Sequence, residues 1–258
     1  MTSLSPQNRT GAAARMATTP MLRLAVALAV LALALLAAAP LGWRLGGWSY
    51  GVSFVLMRWA GVGALAGAAA AAVALCTWRR LGGWRRAAAI VALLGSGIIF
   101  YMPWHYTLLA GASIHDITTD TDNPPAFVAV LPLREAAHAA SAVYAGPRLA
   151  ALQKKAYPDI APLFLAMPRA TAFADALAVA TSMPRWTIVA SDSAQGRIEA
   201  TARTYWMGFA DDVVIRVTDH GAGSRVDMRS LSRVGRGDFG TNAARIRAYF
   251  AALRAKAG

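Results

Sequence analysis

Glycine, arginine and acidic residues near the end of the chain form the pattern with the clearest chemical meaning. The run Gly235–Gly240 is a literal GxGxxG that follows a strand-like segment and precedes a helix-like one. In dinucleotide-binding folds this pattern lets backbone N–H groups approach a pyrophosphate. Here the context argues against a nucleotide. Asp238 would place a carboxylate where phosphate should lie, and the 18 residues after Gly240 are too few for a second parallel strand and an acidic ribose ligand.

A weaker anion site remains at the same place, because arginines and serines surround the glycine-rich loop. Exposed backbone N–H groups at the start of a helix, together with guanidinium groups, can bind an anion. The candidate residues for binding an anion or another ligand are Arg229, Ser230, Ser232, Arg233, Arg236 and Arg245.

A structural interpretation competes with this anion site and is favoured over it. In that interpretation the arginines pair with Asp211, Asp212 and Asp227, while Asp238 or Thr241 caps the last helix. The predicted structural polar network consists of Asp211, Asp212, Arg216, Asp227, Asp238 and Asn242.

A second polar cluster is a weak candidate for a metal site. It consists of His115, Asp116, Asp120 and Asp122. Carboxylate oxygens suit calcium, but the spacing is not that of an EF-hand loop. Aspartate and asparagine before the Pro124-Pro125 pair are also ordinary turn formers, so the sequence predicts neither a metal nor a cofactor.

Residues for classical catalysis are not found in a useful arrangement. The sequence has no HExxH motif and no nucleophile elbow, and its four histidines are scattered. The single thiol, Cys76, falls inside an apolar run, so the chain can form no internal disulfide. These features favour a non-enzymatic function.

Behind these motifs, the chain divides into two halves of different composition. Residues 1–110 contain nine arginines but no lysine, aspartate or glutamate, whereas residues 111–258 contain all 13 acidic residues. A globular segment of this size without a carboxylate would be unusual, but a membrane segment with arginines at its edges explains it. The net charge of +13 therefore largely reflects membrane anchoring, and no nucleic acid partner is expected.

Three stretches of the first half are long and apolar enough to span a bilayer, which requires about 20 residues. The predicted organisation is a leader at residues 1–20 and a transmembrane domain at residues 21–110, with spans at about residues 24–41, 59–78 and 87–106. Gly63 and Gly67 form a small-xxx-small pair in the second span, which suits close packing within the helical bundle.

The arginines predict the orientation of these spans by the positive-inside rule. Seven of the nine lie before the first span or in the loop between the second and third spans, whereas the loop between the first and second spans has Arg44 and Arg58, the latter able to snorkel. The next basic residue after the third span is Arg134. This predicts a multi-pass protein of the inner (plasma) membrane, with a cytoplasmic leader and a soluble extracytoplasmic domain at residues 111–258. Ala37–Ala39 resembles a signal-peptide cleavage site followed by Pro40, which leaves cleavage of the first span open although retention is favoured.

The second half reads as mixed helices and strands. Its proline-rich beginning predicts an extended lead-in with a short helix at Arg148–Ala156, followed by a helix at Thr171–Met183 with Thr171 as a candidate N-cap. Four strand-like segments follow, at Trp186–Ala190, Arg197–Tyr205, Val213–Val217 and Arg225–Ser232. Short turns between them require antiparallel pairing, and their alternation gives the sheet one apolar and one polar face.

The last element is the clearest helix of this half. Ile246, Tyr249, Phe250 and Leu253 follow the i, i+3, i+4, i+7 spacing of a helix with one apolar face. The predicted fold class is therefore α+β. An N-terminal three-helix transmembrane bundle precedes a two-layer domain of about four antiparallel strands with a long C-terminal helix.

The second half also resembles a known family. The stretches that carry the resemblance are Ile114–Pro125, Gln153–Pro158, Gly208–Arg216 and Val226–Gly235, followed by Asp238, Gly240, Asn242 and Arg245-Ile246. They resemble the bacterial and plastid family known as domain of unknown function 1499. The resemblance begins near His115 and leaves the membrane half outside, so it implies a domain boundary more than a function.

The function expected from these features is a membrane-tethered domain that binds a ligand or partner in the cell envelope. A long helix across an antiparallel sheet could shelter an apolar ligand, by analogy of fold alone. One alternative is an enzyme acting on an anionic envelope substrate, and another is a structural subunit of a membrane complex. The expected partners are the lipid bilayer, an anionic small molecule or lipid, and a membrane protein.

Overall fold

The computed structural model describes the backbone of residues 6–76, 82–109 and 113–258, and the side chains of residues 20–76, 82–101 and 113–258. The chain forms two compact units, Met1–Leu108 and Leu109–Gly258. Several sequence predictions fall outside the described residues. These are the end of the second predicted span at residues 77–78, Arg79 and Arg80 after it, and the side chains of Arg9 and Arg15.

The first unit consists of three long helices, α1 (Pro6–Arg44), α2 (Tyr50–Cys76) and α3 (Gly83–Leu109). Each contains a segment that is long and apolar enough to cross a bilayer, and these segments are Pro20–Arg44, Tyr50–Cys76 and Gly83–Tyr101. The expectation of three apolar helices before an α+β domain is therefore confirmed.

Small residues let the three helices approach one another closely. A Cβ atom at Gly67 of α2 would lie 3.1 Å from Ser96 Oγ of α3 and 3.4 Å from Leu28 Cβ of α1. Near one end of the bundle, Ser53 Oγ of α2 donates to the Ala39 carbonyl of α1 at 2.7 Å. Since apolar lipid tails give helices no hydrophobic reason to associate, such close approach and interhelical hydrogen bonds hold a bundle together.

The second unit is an α+β domain with more strands than the sequence predicted. Its elements are β1 (Asp116–Thr118), α4 (Leu131–Ala136), α5 (Pro147–Ala156), β2 (Leu163–Leu165), α6 (Arg169–Ser182), β3 (Trp186–Asp192), β4 (Arg197–Arg203), β5 (Ala210–His220), β6 (Gly223–Ser232) and α7 (Thr241–Ala257). The four predicted strands correspond to β3–β6. The lead-in supplies two further strands, β1 and β2.

All six strands pair antiparallel in one sheet of order β1-β6-β5-β4-β3, and β2 pairs with β6 as well. Asp116 of β1 lies opposite Leu231 near the end of β6, whereas Leu163 of β2 lies opposite Val226 nearer its start. The long strand β6 therefore holds both short strands along the same edge. At three residues each, they are too short to show the alternation by which a strand is recognised in a sequence.

The helices α6 and α7 cover the apolar face of the sheet. Ile198, Ile215 and Met228 on three adjacent strands belong to the same core as Phe173 of α6 and Ile246 of α7. Burial of each such side chain stabilises the fold by roughly 1.5–3 kcal/mol. The four residues that predicted the amphipathic face of α7 are all buried.

A tyrosine joins the two helices within this core. Tyr249 Oη of α7 donates to the Ala176 carbonyl of α6 at 2.9 Å, and its ring stacks on Trp186. The proposed N-cap of α6 was wrong, because Pro168 occupies that position and Thr171 lies inside the helix.

Residues 119–145, which are irregular apart from the short helix α4, cover the opposite, polar face of the sheet. We call this segment the strap. Phe127 and Val130 of the strap are buried against Val214 and Leu231 of the sheet. The carboxylate of Glu199, which is fully buried, accepts hydrogen bonds from the backbone N–H groups of Val128 and Val130 at 3.0 Å each. The polar face is therefore an interior layer.

Replacing this carboxylate should loosen the strap. Glu199→Ala removes the acceptor of two N–H groups, and we expect a loss of about 2–4 kcal/mol in the free energy of unfolding. Glu135→Ala, at an exposed position of α4, is the matched control and should change it little. Urea-dependent proteolysis of the detergent-solubilised full chain measures both, and equal midpoints for the two variants would contradict the assigned role.

Candidate functional site

The predicted anion-binding arginine Arg229 lies beneath the strap, where its charge is already neutralised. Its guanidinium forms a two-pronged ion pair with Asp116 of β1, with Nε–Oδ1 and Nη2–Oδ2 distances of 2.9 and 2.8 Å. Both side chains are almost completely buried, at 3% and 7% exposure. The predicted metal ligand Asp116 is therefore the partner of a predicted anion-binding residue.

Two aromatic rings of the strap enclose the same guanidinium. The Arg229 Cζ atom lies 5.0 Å from the centre of the Phe127 ring and 5.3 Å from that of Tyr144. Stacked guanidinium groups gain cation–π energy where water is excluded. Burial, aided by the negative charge of Asp116, raises the pKa of Tyr144 to about 12.

A second buried carboxylate, Asp212 of β5, holds two arginines from different parts of the chain. Arg134 of the strap donates to Asp212 Oδ2 at 2.8 Å, and Arg233 donates to both oxygens at 2.9 and 2.7 Å. Thr201 Oγ1 of β4 adds a hydrogen bond at 2.8 Å. Arg233 is thus engaged by a carboxylate of the polar network.

A third group of charges lies where the strap begins. Asp120 of the strap and Asp227 of β6 share Arg216 and Arg225, with N–O distances between 2.7 and 3.1 Å. Two carboxylates and two guanidinium groups alternate here, so each charge faces opposite charge. The carboxylate of Asp120, a candidate metal ligand, therefore forms ion pairs with two arginines.

The start of α7 and the end of β6 carry most of the remaining predicted residues, and Arg236 is exposed in the loop between them. Arg245 donates to Asp211 Oδ2 at 2.5 Å and to Ser230 Oγ at 2.9 Å. Asn242, which is fully buried, accepts from Ser230 Oγ and donates to Ser232 Oγ at 3.0 Å. Hydrogen bonds among these side chains connect α7 to the start of β5 and the end of β6.

The glycine-rich loop before α7 carries an internal anion instead of an open phosphate cradle. Asp238 accepts hydrogen bonds from the N–H groups of Gly240 at 2.9 Å and Asn242 at 2.7 Å. Gly240 has φ +78°, a left-handed conformation that favours glycine. Burial raises the pKa of Asp238 above its ordinary value, and this effect exceeds the opposing effect of the two hydrogen bonds.

The structure does not gather the four metal candidates into one centre. Asp116 and Asp120 are engaged by arginines as above, while Asp122 is exposed and lies 3.5 Å from Lys154 Nζ. His115 Nδ1 is buried without a hydrogen-bond partner. Within residues that the structure describes, no group of three or more His, Cys, Asp or Glu side chains could hold a metal ion.

Sequence reasoning missed two parts of this polar layer. Arg134 is central to it, but the strap residues gave no periodic signal that they cover the sheet. Glu199 was predicted on the polar face, but without its partners in the strap. Arg225 also escaped notice as a partner of Asp227. A usable signal exists in the strands themselves, because Glu199, Asp227 and Arg229 lie on a face with alternating charges, where opposite charges stabilise one another.

A groove lies outside the polar layer, between β2 and the C-terminal end of α7. It has a volume of about 260 Å³ and is lined by Leu163, Phe164, Leu165, Ala166, Met167, Arg254, Ala257 and Gly258. Phe164 is 53% exposed although it is large and apolar. In the described part of the chain, Arg254 forms no ion pair, whereas Arg229, Arg233 and Arg245 all do.

Breaking a buried pair should cost far more stability than breaking an exposed one of the same geometry. Arg229→Ala leaves Asp116 buried and unpaired, so we expect a loss of about 3–5 kcal/mol in the free energy of unfolding. Arg247→Ala breaks an exposed two-pronged pair with Asp159 and should cost about 0–1 kcal/mol. Urea-dependent proteolysis of the solubilised full chain compares them, and similar losses for both would refute the structural role of Arg229.

Asp238 should give a pH dependence of defined sign. Because the pKa of Asp238 is raised in the fold, its protonated carboxyl contributes to the free energy of unfolding, and this contribution is complete below the ordinary aspartate pKa of about 3.9. That contribution is lost as pH rises through the higher folded value. Asp238→Asn should therefore remove a decrease in unfolding free energy over this window, measured by urea unfolding at a series of pH values.

Asp159 provides the control of opposite sign. The hydrogen bond from Arg247 lowers the pKa of Asp159, so its contribution is present above the ordinary value and is lost as pH falls through its folded pKa. Asp159→Asn should therefore remove an increase with pH. An Asp238→Asn variant whose pH profile matches the wild type would contradict the assignment.

The comparisons with known proteins concern this same domain. The family model described as "Protein of unknown function (DUF1499)" matches residues 116–253. The matched range runs from β1 into α7 and so includes the strap, the sheet and the polar layer. No curated protein matches the chain.

Proposed function

The chain belongs to the DUF1499 family, and from this premise we propose that it is a membrane-anchored binding protein of the cell envelope. Its three apolar helices fix it in the inner membrane, with the N-terminus in the cytoplasm and the α+β domain outside. The domain binds, at the groove between β2 and α7, an apolar ligand or partner segment that carries an acidic group. Arg9 and Arg15, which precede the apolar span of α1, and Arg79 and Arg80, which lie in the sequence between α2 and α3, support this orientation.

The observation that carries the proposal is the pairing of an apolar groove with an arginine that has no carboxylate partner. Leu163, Leu165 and Met167 offer apolar contact, and Arg254 offers a charge that no described carboxylate neutralises. Binding sites commonly combine an apolar lining with few polar groups that orient the ligand. At about 260 Å³ the groove suits one end of an acyl chain or one large apolar side chain.

The polar layer supports a binding function over catalysis. Reactive groups at catalytic sites must be able to touch a substrate, but Arg229, Arg233 and Arg245 are engaged by aspartates beneath or beside the strap. The exposed cation at the groove is accordingly the more suitable contact for an acidic ligand.

Native mass spectrometry of the detergent-solubilised full chain, incubated with oleate, tests this proposal. Oleate combines an apolar chain with a carboxylate, so the wild type should form a one-to-one adduct. Ala166→Trp, which fills the groove, should abolish the adduct, and Arg254→Gln should weaken it because the carboxylate loses its ion pair.

Arg148→Gln is the matched control, since Arg148 is an exposed arginine of α5 that does not line the groove. It should bind oleate as the wild type does. Absence of an adduct, or equal adducts in all four proteins, would rule out the groove as the binding site.

A further inference from the structure

One end of the sheet contains the point where the chain arrives from α3. Residues 113–115 lead into β1, and the backbone carbonyls of Ile114 and His115 accept hydrogen bonds from Asp238 and Ser232. Because all strands are antiparallel, the same end carries the end of β6, the turn between β4 and β5, and the start of β3. We call this end the linker rim: residues 113–115, 184–185, 203–209 and 233–240.

Exposed aromatic side chains are concentrated on the linker rim. The turn at residues 204–209 reads Thr-Tyr-Trp-Met-Gly-Phe, and Tyr205 within it is 78% exposed. Phe239, in the loop before α7, is 41% exposed. The guanidinium of Arg185 lies over the Tyr205 ring, 5.1 Å from its centre, and leaves most of the residue exposed. Tyrosine is enriched where membranes meet water.

The backbone holds Phe239 outward at a conformational cost. Its φ is +53°, in the left-handed region that non-glycine residues seldom adopt. The residues on both sides are fixed, because Asp238 N–H donates to the Ile114 carbonyl and Gly240 N–H donates to the Asp238 carboxylate. Strained backbone in an ordered loop is frequently found at functional contacts.

The charge of the linker rim is positive. Arg185, Arg203 and Arg236 are exposed there, and Glu135 of the neighbouring α4 is an exposed carboxylate nearby. The three acidic residues Asp211, Asp212 and Asp238 at this end are buried. The opposite end of the sheet exposes both Asp219, at the hairpin between β5 and β6, and Arg254, beside β2.

The linker rim contains the residues at which the chain enters the domain after the third apolar helix. The helix α3 ends at Leu109, and the domain is described from Ser113 onward. Aromatic and basic residues that flank an apolar span are typical anchors at the interface between membrane and water.

We propose that the linker rim binds the phospholipid surface of the membrane. Tyr205 and Phe239 lie among the headgroups with their apolar ring atoms directed toward the acyl chains. Arg185, Arg203 and Arg236 bind lipid phosphates, for which guanidinium groups are well suited. This contact orients the domain on the membrane and is independent of what the groove binds.

Position-specific labelling of the full chain in lipid nanodiscs tests the proposal. In a Cys76→Ser background, an environment-sensitive fluorophore is attached to Tyr205→Cys, Phe239→Cys or Ala222→Cys. Ala222 is the control, because it is exposed in the hairpin turn between β5 and β6 at the opposite end of the sheet and does not line the groove. The nanodiscs contain phosphatidylcholine and phosphatidylglycerol, with or without a spin-labelled lipid that quenches nearby fluorophores.

The labels at positions 205 and 239 should show blue-shifted emission and several-fold stronger quenching by the spin-labelled lipid than the label at position 222. Arg236→Glu should reduce the quenching at position 205, because a carboxylate repels lipid phosphates, whereas Arg254→Glu at the groove should not. Equal quenching at all three positions would overturn the proposal. So would labels at 205 and 239 that are shielded from aqueous iodide yet not quenched by lipid, since a protein would then cover the rim.

Discussion

The fold of the α+β domain depends on neutralising the charges that its sheet buries. Asp116, Glu199, Asp212 and Asp227 are almost excluded from water, and an unpaired carboxylate in such a place would cost several kcal/mol. Asp227 pairs with two arginines of the sheet, and the strap provides partners for the other three. It contributes backbone N–H groups to Glu199, Arg134 to Asp212, and rings around the guanidinium that pairs with Asp116. Sheet and strap therefore stabilise each other. The strap covers the charged face of the sheet, and it supplies partners for carboxylates that this cover removes from water.

This interdependence also directs attention away from the polar layer as a place for ligands. Each of its arginines donates to carboxylates, carbonyls or hydroxyls inside the domain, so binding of an outside anion would require breaking buried ion pairs. Arg254 and Arg236 differ, because both are exposed and neither forms an ion pair with a described carboxylate. The two proposals accordingly place a ligand at the groove and lipid phosphates at the linker rim, where charge remains available.

The chain combines two environments whose stabilising forces differ. In the helical half, small residues such as Gly67 permit close packing among apolar helices. In the α+β half, a core of apolar side chains lies on one face of the sheet and an ion-pair layer on the other. The glycine-rich loop shows how context changes a motif, because Asp238 occupies the N-terminus of α7 where a nucleotide phosphate would otherwise lie.

By itself the sequence determined the elements that depend on local pattern. Three long apolar stretches, four alternating strands and the apolar face of α7 could all be recognised, since hydropathy and periodicity act within one segment. Tertiary structure alone decided β1, β2, the course of the strap and the partner of each arginine. Arg229 pairs with Asp116, which is 113 residues away in the chain, and Pro168 rather than Thr171 begins α6. Such pairings follow from where the folded backbone brings distant residues together, and no local pattern encodes that distance.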